Sequence, residues 1–165
     1  MREGLSRKIN LALLGLVAVL VCSASAGAHD TFGRCHTTAL SGRLGFIQGA
    51  AGSRFGPLVL TNRSHNVCTL EGYIGGQLYN AAGGRLPTRI VRDRSRPVIS
   101  VTLRPGRRAF ADLHWSAIRT GPILACPQAR SFAVTPPDER TQLRVRWTAG
   151  PVCRGGRIDV RPIRK

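Results

Sequence analysis

The stretch VTLRPGRRAFADLHW, residues 101–115, decides the fold class. Pro105 presets the φ angle of a turn, and Gly106 tolerates a positive φ at the next position. The pair therefore predicts a tight connection between a strand that ends near Leu103 and a strand that covers residues 108–116.

Apolar and polar side chains alternate along the second of these strands. Successive side chains of a strand point to opposite faces. One face carries Ala111, Leu113 and Trp115, and the opposite face carries Phe110, Asp112 and His114. This period-two pattern is typical of a strand that buries its apolar face in a core and leaves the other face in water.

Short segments on both sides of this stretch follow the same pattern. Leu40, Gly42, Leu44 and Phe46 alternate with small or polar residues and predict one strand. Further strands are expected over residues 55–62, 69–79, 85–92, 98–103, 131–135, 142–148 and 157–161. Parallel α/β sheets need crossover helices, and a helical period occurs only near the N-terminus. The sequence therefore predicts an all-β, antiparallel sandwich of about eight or nine short strands.

The N-terminal residues have the composition of a secretory signal peptide. Three basic residues precede an uncharged apolar run over 11–21, which is too short to span a bilayer as a helix. Small residues follow, so we expect a signal peptide over 1–26, cleaved after Ala26 or Ala28, and a secreted product. A lipid anchor on Cys22 is the alternative, although Val21 stands where a lipobox has Gly, Ala or Ser.

Length and charge limit the classes of protein. The 165 residues carry a net charge of +17, nearly all of it from arginine, and 42% of them are hydrophobic. These values exclude a multidomain enzyme, a polytopic membrane protein and a wholly disordered chain.

Signal cleavage would leave an even set of cysteines: Cys35, Cys68, Cys126 and Cys153. In an oxidising compartment an even set predicts two disulfides, but four cysteines allow three pairings and the sequence does not choose among them. Zinc sites use close Cys-x-x-Cys pairs, and the chain has none.

Several motifs occur together in the order of a known family. They are CTLEGY at 68–73, the LRPG turn at 103–106, VTPP at 134–137 and PVC at 151–153. The chain resembles, over residues 35 to about 163, an actinobacterial exported family catalogued as domain of unknown function 4232. Ile74 departs from the family pattern, which has Pro after the Gly-Tyr pair.

The resemblance implies one immunoglobulin-like β-sandwich domain over 35–163, exported or attached to the cell envelope. It implies the pairings Cys35–Cys68 and Cys126–Cys153. It implies no established biochemical activity.

Residues suited to catalysis or metal binding are present but poorly arranged. Asp112, His114 and Ser116 are the residue types of a hydrolase triad, yet i and i+2 side chains on one strand stand about 6–7 Å apart, whereas a triad needs contacts near 3 Å. The histidines are scattered: His29, His36, His65 and His114. We therefore expect no catalytic residues, no metal site and no cofactor. Asn62-Arg63-Ser64 matches a glycosylation sequon, which we interpret as a turn.

The arginines are the remaining functional signal. Eight lie within 24 positions: Arg85, Arg89, Arg92, Arg94, Arg96, Arg104, Arg107 and Arg108. If the strands pair as consecutive hairpins, many of these side chains emerge on one side and attract polyanions without sequence preference. The alternative is that the charge reflects composition and solubility alone.

These observations favour a non-catalytic binding module of the cell envelope. Its expected partner is an anionic envelope polymer or another envelope protein, with no specific nucleic acid. The alternative is a small secreted enzyme with a site that the sequence does not reveal. A pocket with a histidine and a carboxylate within hydrogen-bond reach would favour the enzyme. Arginines gathered on one face without such a pocket would favour the module.

Overall fold

A computed structural model describes residues 32–119 and 126–165. The proposed signal peptide, Cys22 and His29 lie outside these residues. The described chain contains eleven strands: β1 (Leu40–Leu44), β2 (Gln48–Ala50), β3 (Ser53–Asn62), β4 (Cys68–Glu71), β5 (Gly75–Tyr79), β6 (Arg89–Arg92), β7 (Ser100–Leu103), β8 (Arg108–Ser116), β9 (Ser131–Thr135), β10 (Leu143–Arg146) and β11 (Arg157–Val160). A 3₁₀ turn covers Thr37–Ala39, and a short helical turn covers Cys153–Gly156.

The long strands β3 and β8 form the centre of the largest sheet. The strand order is β1-β3-β8-β11-β6, and β2 folds back onto β3. Strand β8 runs antiparallel to β3 from Thr61↔Arg108 to Ser53↔Ser116. Its predicted bounds, 108–116, are confirmed. The Pro105-Gly106 turn fixes where β8 begins, because Gly106 has the positive φ, 73°, that such a turn requires.

Two smaller sheets cover the inner face of the large sheet. Their orders are β10-β9-β5 and β4-β7. The sheets meet closely where β1 crosses β10, since a Cβ on Gly42 would overlap the side chains of Leu143 and Val145. The predicted all-β sandwich is therefore confirmed.

The inner residues of β8 lie in the core. Ala111, Leu113 and Trp115 are buried, and the Trp115 ring packs 5.0 Å from that of Trp147. The predicted core face of β8 is correct. Burial of such side chains, at about 25 cal/mol per Å² of apolar surface, supplies the main driving force for folding.

Both disulfides that the resemblance implies are present. Cys35 is bonded to Cys68, and Cys126 is bonded to Cys153. The first joins the segment before β1 to the start of β4, where the Cys35 N–H also donates to the carbonyl of Thr69.

Three expectations need correction. The described residues hold eleven strands rather than eight or nine, because the segment 69–79 divides near Gly72 into two strands and Gln48–Ala50, which lies outside the predicted strands, forms a short strand of its own. One pair, β6 with β11, is parallel. This pair needs no crossover helix, since four strands, β7 to β10, connect β6 with β11 along the chain. Strand β1 ends at Leu44, so Phe46 leaves the predicted alternation and its side chain is exposed.

Gly156 enables the parallel pair. Its φ is 74°, and a Cβ there would collide with the backbone carbonyl of Pro87, just before β6. Glycine is therefore needed where β11 approaches β6.

Candidate ligand-binding sites on the outer sheet face

The outward face of β8 collects the polar residues of the large sheet. Arg108, Phe110, Asp112, His114 and Ser116 alternate with the buried side chains, as predicted. Neighbouring strands place their own side chains beside these, because His114 lies opposite Phe55 of β3 and opposite Asp159 of β11. Two depressions are relevant to function, one on this face and one at the turn that precedes β8.

The first depression, here called the outer groove, has a volume of about 250 Å³. The lining side chains used below are Phe46, Gln48, Phe55, Asp93, Asp112, His114, Asp159 and Arg161. Phe46 is 80% exposed and Phe55 is 44% exposed. The Phe55 ring stacks on the His114 imidazole with centroids 4.4 Å apart and an interplanar angle of 12°. The groove therefore has solvent-exposed aromatic side chains as well as charged groups.

Each carboxylate of the outer groove is held by an arginine. Arg164 donates to both oxygens of Asp112 at 2.8 and 2.9 Å, and this lowers the pKa of Asp112. Arg157 donates two hydrogen bonds to Oδ1 of Asp159, at 2.7 and 3.0 Å. Hydrogen bonds thus orient both carboxylates before any ligand arrives.

Asp93 is the third carboxylate of the groove. Hydrogen bonds from Ser95, followed by one from the Arg161 guanidinium at 2.9 Å, lower its pKa to about 2. Asp93 follows β6 and Arg161 follows β11, so the pair joins two neighbouring strands at the rim of the groove.

The structure separates the three residues that resemble a triad on one strand. Asp112 is bonded to Arg164, and the Ser116 hydroxyl donates to the Ile118 carbonyl at 3.0 Å. His114 instead lies between residues of other strands: its Nε2 is 3.3 Å from Ser53 Oγ, and its Nδ1 is 3.5 Å from Asp159 Oδ2. The sequence did not predict Ser53 and Asp159 as neighbours of His114, because only the pairing of β3 and β11 with β8 brings them there.

The second depression, here called the basic depression, lies at the turn between β7 and β8. Arg104, Arg107, Arg108 and Lys165 line it, and among the described residues no carboxylate side chain does so. None of these three arginines takes part in an ion pair within the part of the chain that the structure describes. Their positive charge is therefore uncompensated at short range.

The other predicted arginines do not join this cluster. The expectation of consecutive hairpins is wrong, because β6 pairs with β11 and β7 pairs with β4. Arg89 and Arg92 lie on the edge strand β6, and Arg94 is exposed in the loop that follows. Arg85 donates to Gln77, Arg92 lies 5.4 Å from the centroid of the Tyr73 ring, and Arg96 is 3.5 Å from Asp112. Of the eight arginines, three line the basic depression and the other five are spread over other parts of the described chain.

Asn62 fixes the turn that carries the basic depression. Its side-chain amide is buried and donates to the carbonyls of Leu103 and Asn66, while its carbonyl accepts from Ser64. Its backbone N–H donates to Arg107 and its backbone carbonyl accepts from Gly106. A buried amide is closed to glycosylation, which agrees with the interpretation of the sequon as a turn.

In residues 32–119 and 126–165 no three His, Cys, Asp or Glu side chains meet in an arrangement that would hold a metal ion. In the same residues no helix is long and apolar enough to cross a bilayer.

These features define a class, the disulfide-bonded β-sandwich domain. The chain belongs to the family described as Domain of unknown function (DUF4232), which it matches over residues 35–164. No curated protein and no solved structure matches the chain.

Proposed function

We propose that this chain is a non-catalytic binding module of the cell envelope, and that it holds anionic polymers at the basic depression. One observation carries the proposal: Arg104, Arg107, Arg108 and Lys165 surround a single depression whose described lining has no carboxylate side chain. Cations elsewhere in the chain, such as Arg157, Arg161 and Arg164, are already bound to aspartates.

Charge that no neighbouring carboxylate neutralises favours a polyanion. Such a ligand releases its condensed counterions when cations replace them, and this release supplies sequence-independent affinity. Arginine also offers five N–H donors in a planar fork that matches phosphate oxygens. The polymer class expected here is a phosphate-containing envelope polymer.

The salt dependence of binding tests this proposal. Long-chain polyphosphate is titrated into the mature protein at 50 and 200 mM salt, and the Kd values are compared for wild type and for Arg104→Ala/Arg107→Ala/Arg108→Ala. Each lost contact should reduce the slope of log K against log salt by about 0.7. Between the two salt concentrations, the Kd of the triple variant should therefore change by a factor roughly 20 times smaller than the Kd of wild type.

A second triple substitution, Arg92→Ala/Arg94→Ala/Arg96→Ala, is the matched control. It removes the same charge but leaves the basic depression intact, so it should preserve most of the salt dependence. Equal effects of both triples would show that net charge alone attracts the polymer and would refute a defined site. Exposed charges add little to stability, so both variants should fold.

We also propose that the protein is exported. The two disulfides support an oxidising compartment. N-terminal sequencing of protein from the culture medium or the envelope should find Gly27 or His29 as the first residue. An intact Met1 would contradict export, and an acylated Cys22 would show anchoring instead of release.

Hydrolysis is a second candidate function, favoured by the contacts of His114 with Ser53 and Asp159. A histidine with a carboxylate in a pocket is the feature that favours the enzyme alternative. The Nδ1 to Oδ2 distance of 3.5 Å exceeds the range of a normal hydrogen bond, although such contacts tighten when substrate binds. A fluorophosphonate probe should label Ser53 if it is an activated nucleophile. Labelling that Ser53→Ala abolishes and Ser116→Ala preserves would establish this function, and an unlabelled protein would reject it.

A further inference from the structure

We propose that the outer groove is a binding subsite for an uncharged sugar ring. The groove is distinct from the basic depression and is lined by different residues. The inference therefore goes beyond the proposed polyanion site and does not depend on it.

Aromatic surface at the groove is the first support. Phe46 lies in the connection between β1 and β2, and its side chain is 80% exposed. Phe55 is 44% exposed and is held in place by its stack on His114. Exposed large aromatic side chains at a concave site mark ligand contact, because their apolar faces gain from being covered. The C–H face of a pyranose ring is a suitable cover.

Polar groups beside these rings are the second support. An ionised carboxylate offers about four acceptor positions. The hydrogen bonds from Arg157 to Asp159 and from Arg164 to Asp112 use only part of that capacity. The Gln48 amide adds both donors and acceptors. A ligand with several hydroxyl groups on a ring can use carboxylate acceptors, guanidinium donors and an amide together.

Charge selects an uncharged ligand over an ionic one. Each of the three carboxylates that line the groove already has an arginine partner, so an added ion would find no unpaired group of opposite charge among these lining side chains. A small cation would in addition have to approach a chain with a net charge of +17. An uncharged sugar needs no unpaired charge, since its hydroxyl groups use the remaining hydrogen-bond capacity of the paired side chains.

The size of the groove fits one ring. Its volume of about 250 Å³ lies just below the roughly 300 Å³ at which pockets for drug-sized ligands begin. It would hold about eight water molecules at roughly 30 Å³ each. A single pyranose fits this space, whereas a long segment of polymer would extend along the sheet face.

Saturation-transfer NMR on the full mature chain tests the inference. The probes are methyl β-glucopyranoside, N-acetylglucosamine, tetramethylammonium chloride and sodium phosphate, each titrated at 50 and 200 mM salt; phosphate has no C–H protons, so its binding is followed by ³¹P line broadening. We expect at least one sugar to bind, with transfer to its ring C–H protons and a Kd that changes less than twofold between the two salt concentrations. Phe46→Ala should weaken this binding by at least tenfold. Phe32→Ala, which removes another exposed phenylalanine outside the groove, should leave it unchanged.

Four outcomes would overturn the inference. They are binding of tetramethylammonium alone, binding of phosphate alone, no binding of either sugar, and sugar binding that Phe46→Ala does not change. Polyphosphate binding is measured in the same samples and should survive Phe46→Ala. Wild-type protein that binds polyphosphate but neither sugar would therefore contradict this inference alone, and wild-type protein that binds a sugar but not polyphosphate would contradict the proposed function alone.

Discussion

The side-chain amide of Asn62 is fully buried, and both its nitrogen and its oxygen have hydrogen-bond partners. Through Leu103, Gly106 and Arg107 this residue ties the end of β3 to the turn that carries the basic depression. At the scale of single residues, Asn62 thus fixes the turn that carries Arg104, Arg107 and Arg108. The sequence presented it as the end of a predicted strand and the start of a sequon.

Replacing Asn62 with alanine should destabilise the protein by about 2–3 kcal/mol, because the Leu103 carbonyl and the Ser64 N–H lose their partners. Urea unfolding measures this free energy. Asn66→Ala is the control, since Asn66 contributes only backbone groups to this set of hydrogen bonds. A loss below about 0.5 kcal/mol in Asn62→Ala would mean that the turn holds without this amide.

Strands and turns that carry their own local signals were predictable from the sequence. Strands β8 and β9 have the expected bounds, because a turn precedes β8 and apolar residues alternate or cluster within both. The outer groove was not predictable, because Phe55, Asp112 and Asp159 come from three strands that only long-range pairing brings together. Side-chain alternation gives the face of a strand but not its partner.

Glu139 connects two elements across the fold. It lies between β9 and β10 and accepts hydrogen bonds from the backbone N–H and the hydroxyl of Thr37, at 3.1 and 2.9 Å, and from Arg34 at 3.0 Å. Its Oε1 is also 3.1 Å from Nδ1 of His36. These contacts, those with Thr37 first, lower the pKa of Glu139 from 4.5 to about 2.

A carboxyl group whose pKa is lowered by folding stabilises the folded state above its unfolded pKa and loses that contribution as the pH falls through the folded pKa. The contribution of Glu139 should therefore be complete above pH 4.5 and disappear toward pH 2. Glu139→Gln should lower the Tm at pH 7 and reduce the dependence of Tm on pH within this window. Asp93 titrates in the same window, so some dependence should remain. If Glu139→Gln and its exposed neighbour Asp138→Asn show the same pH profile as wild type, this contact is not stabilising.

Two disulfides cross-link the domain, and strand β8 connects its two depressions. Each disulfide closes a loop, with sequence separations of 33 and 27 residues. Along β8, Arg108 and Asp112 are four residues apart, which places the basic depression about 13 Å from the outer groove. A polymer that alternates sugars with phosphates could contact both sites, and linked contacts raise affinity through effective concentration.

Removing the first cross-link tests its place in the whole fold. Cys35→Ala/Cys68→Ala should lower the free energy of unfolding by about 3–4 kcal/mol, the loop-closure entropy expected for this separation. Denaturant unfolding measures the loss, and reducing agent should then affect only Cys126–Cys153. A double variant as stable as wild type would show that β4 is held by its pairing with β7 alone.

The central claim is that anionic polymer binds at one defined cluster of arginines. The most direct measurement follows the side-chain Nε–H signals of all arginines by two-dimensional ¹H–¹⁵N NMR during titration with polyphosphate. The account predicts that the signals of Arg104, Arg107 and Arg108 shift first and furthest, while those of Arg157, Arg161 and Arg164 stay with their aspartates. Equal shifts across all exposed arginines, or shifts centred on Arg89 and Arg92, would contradict it.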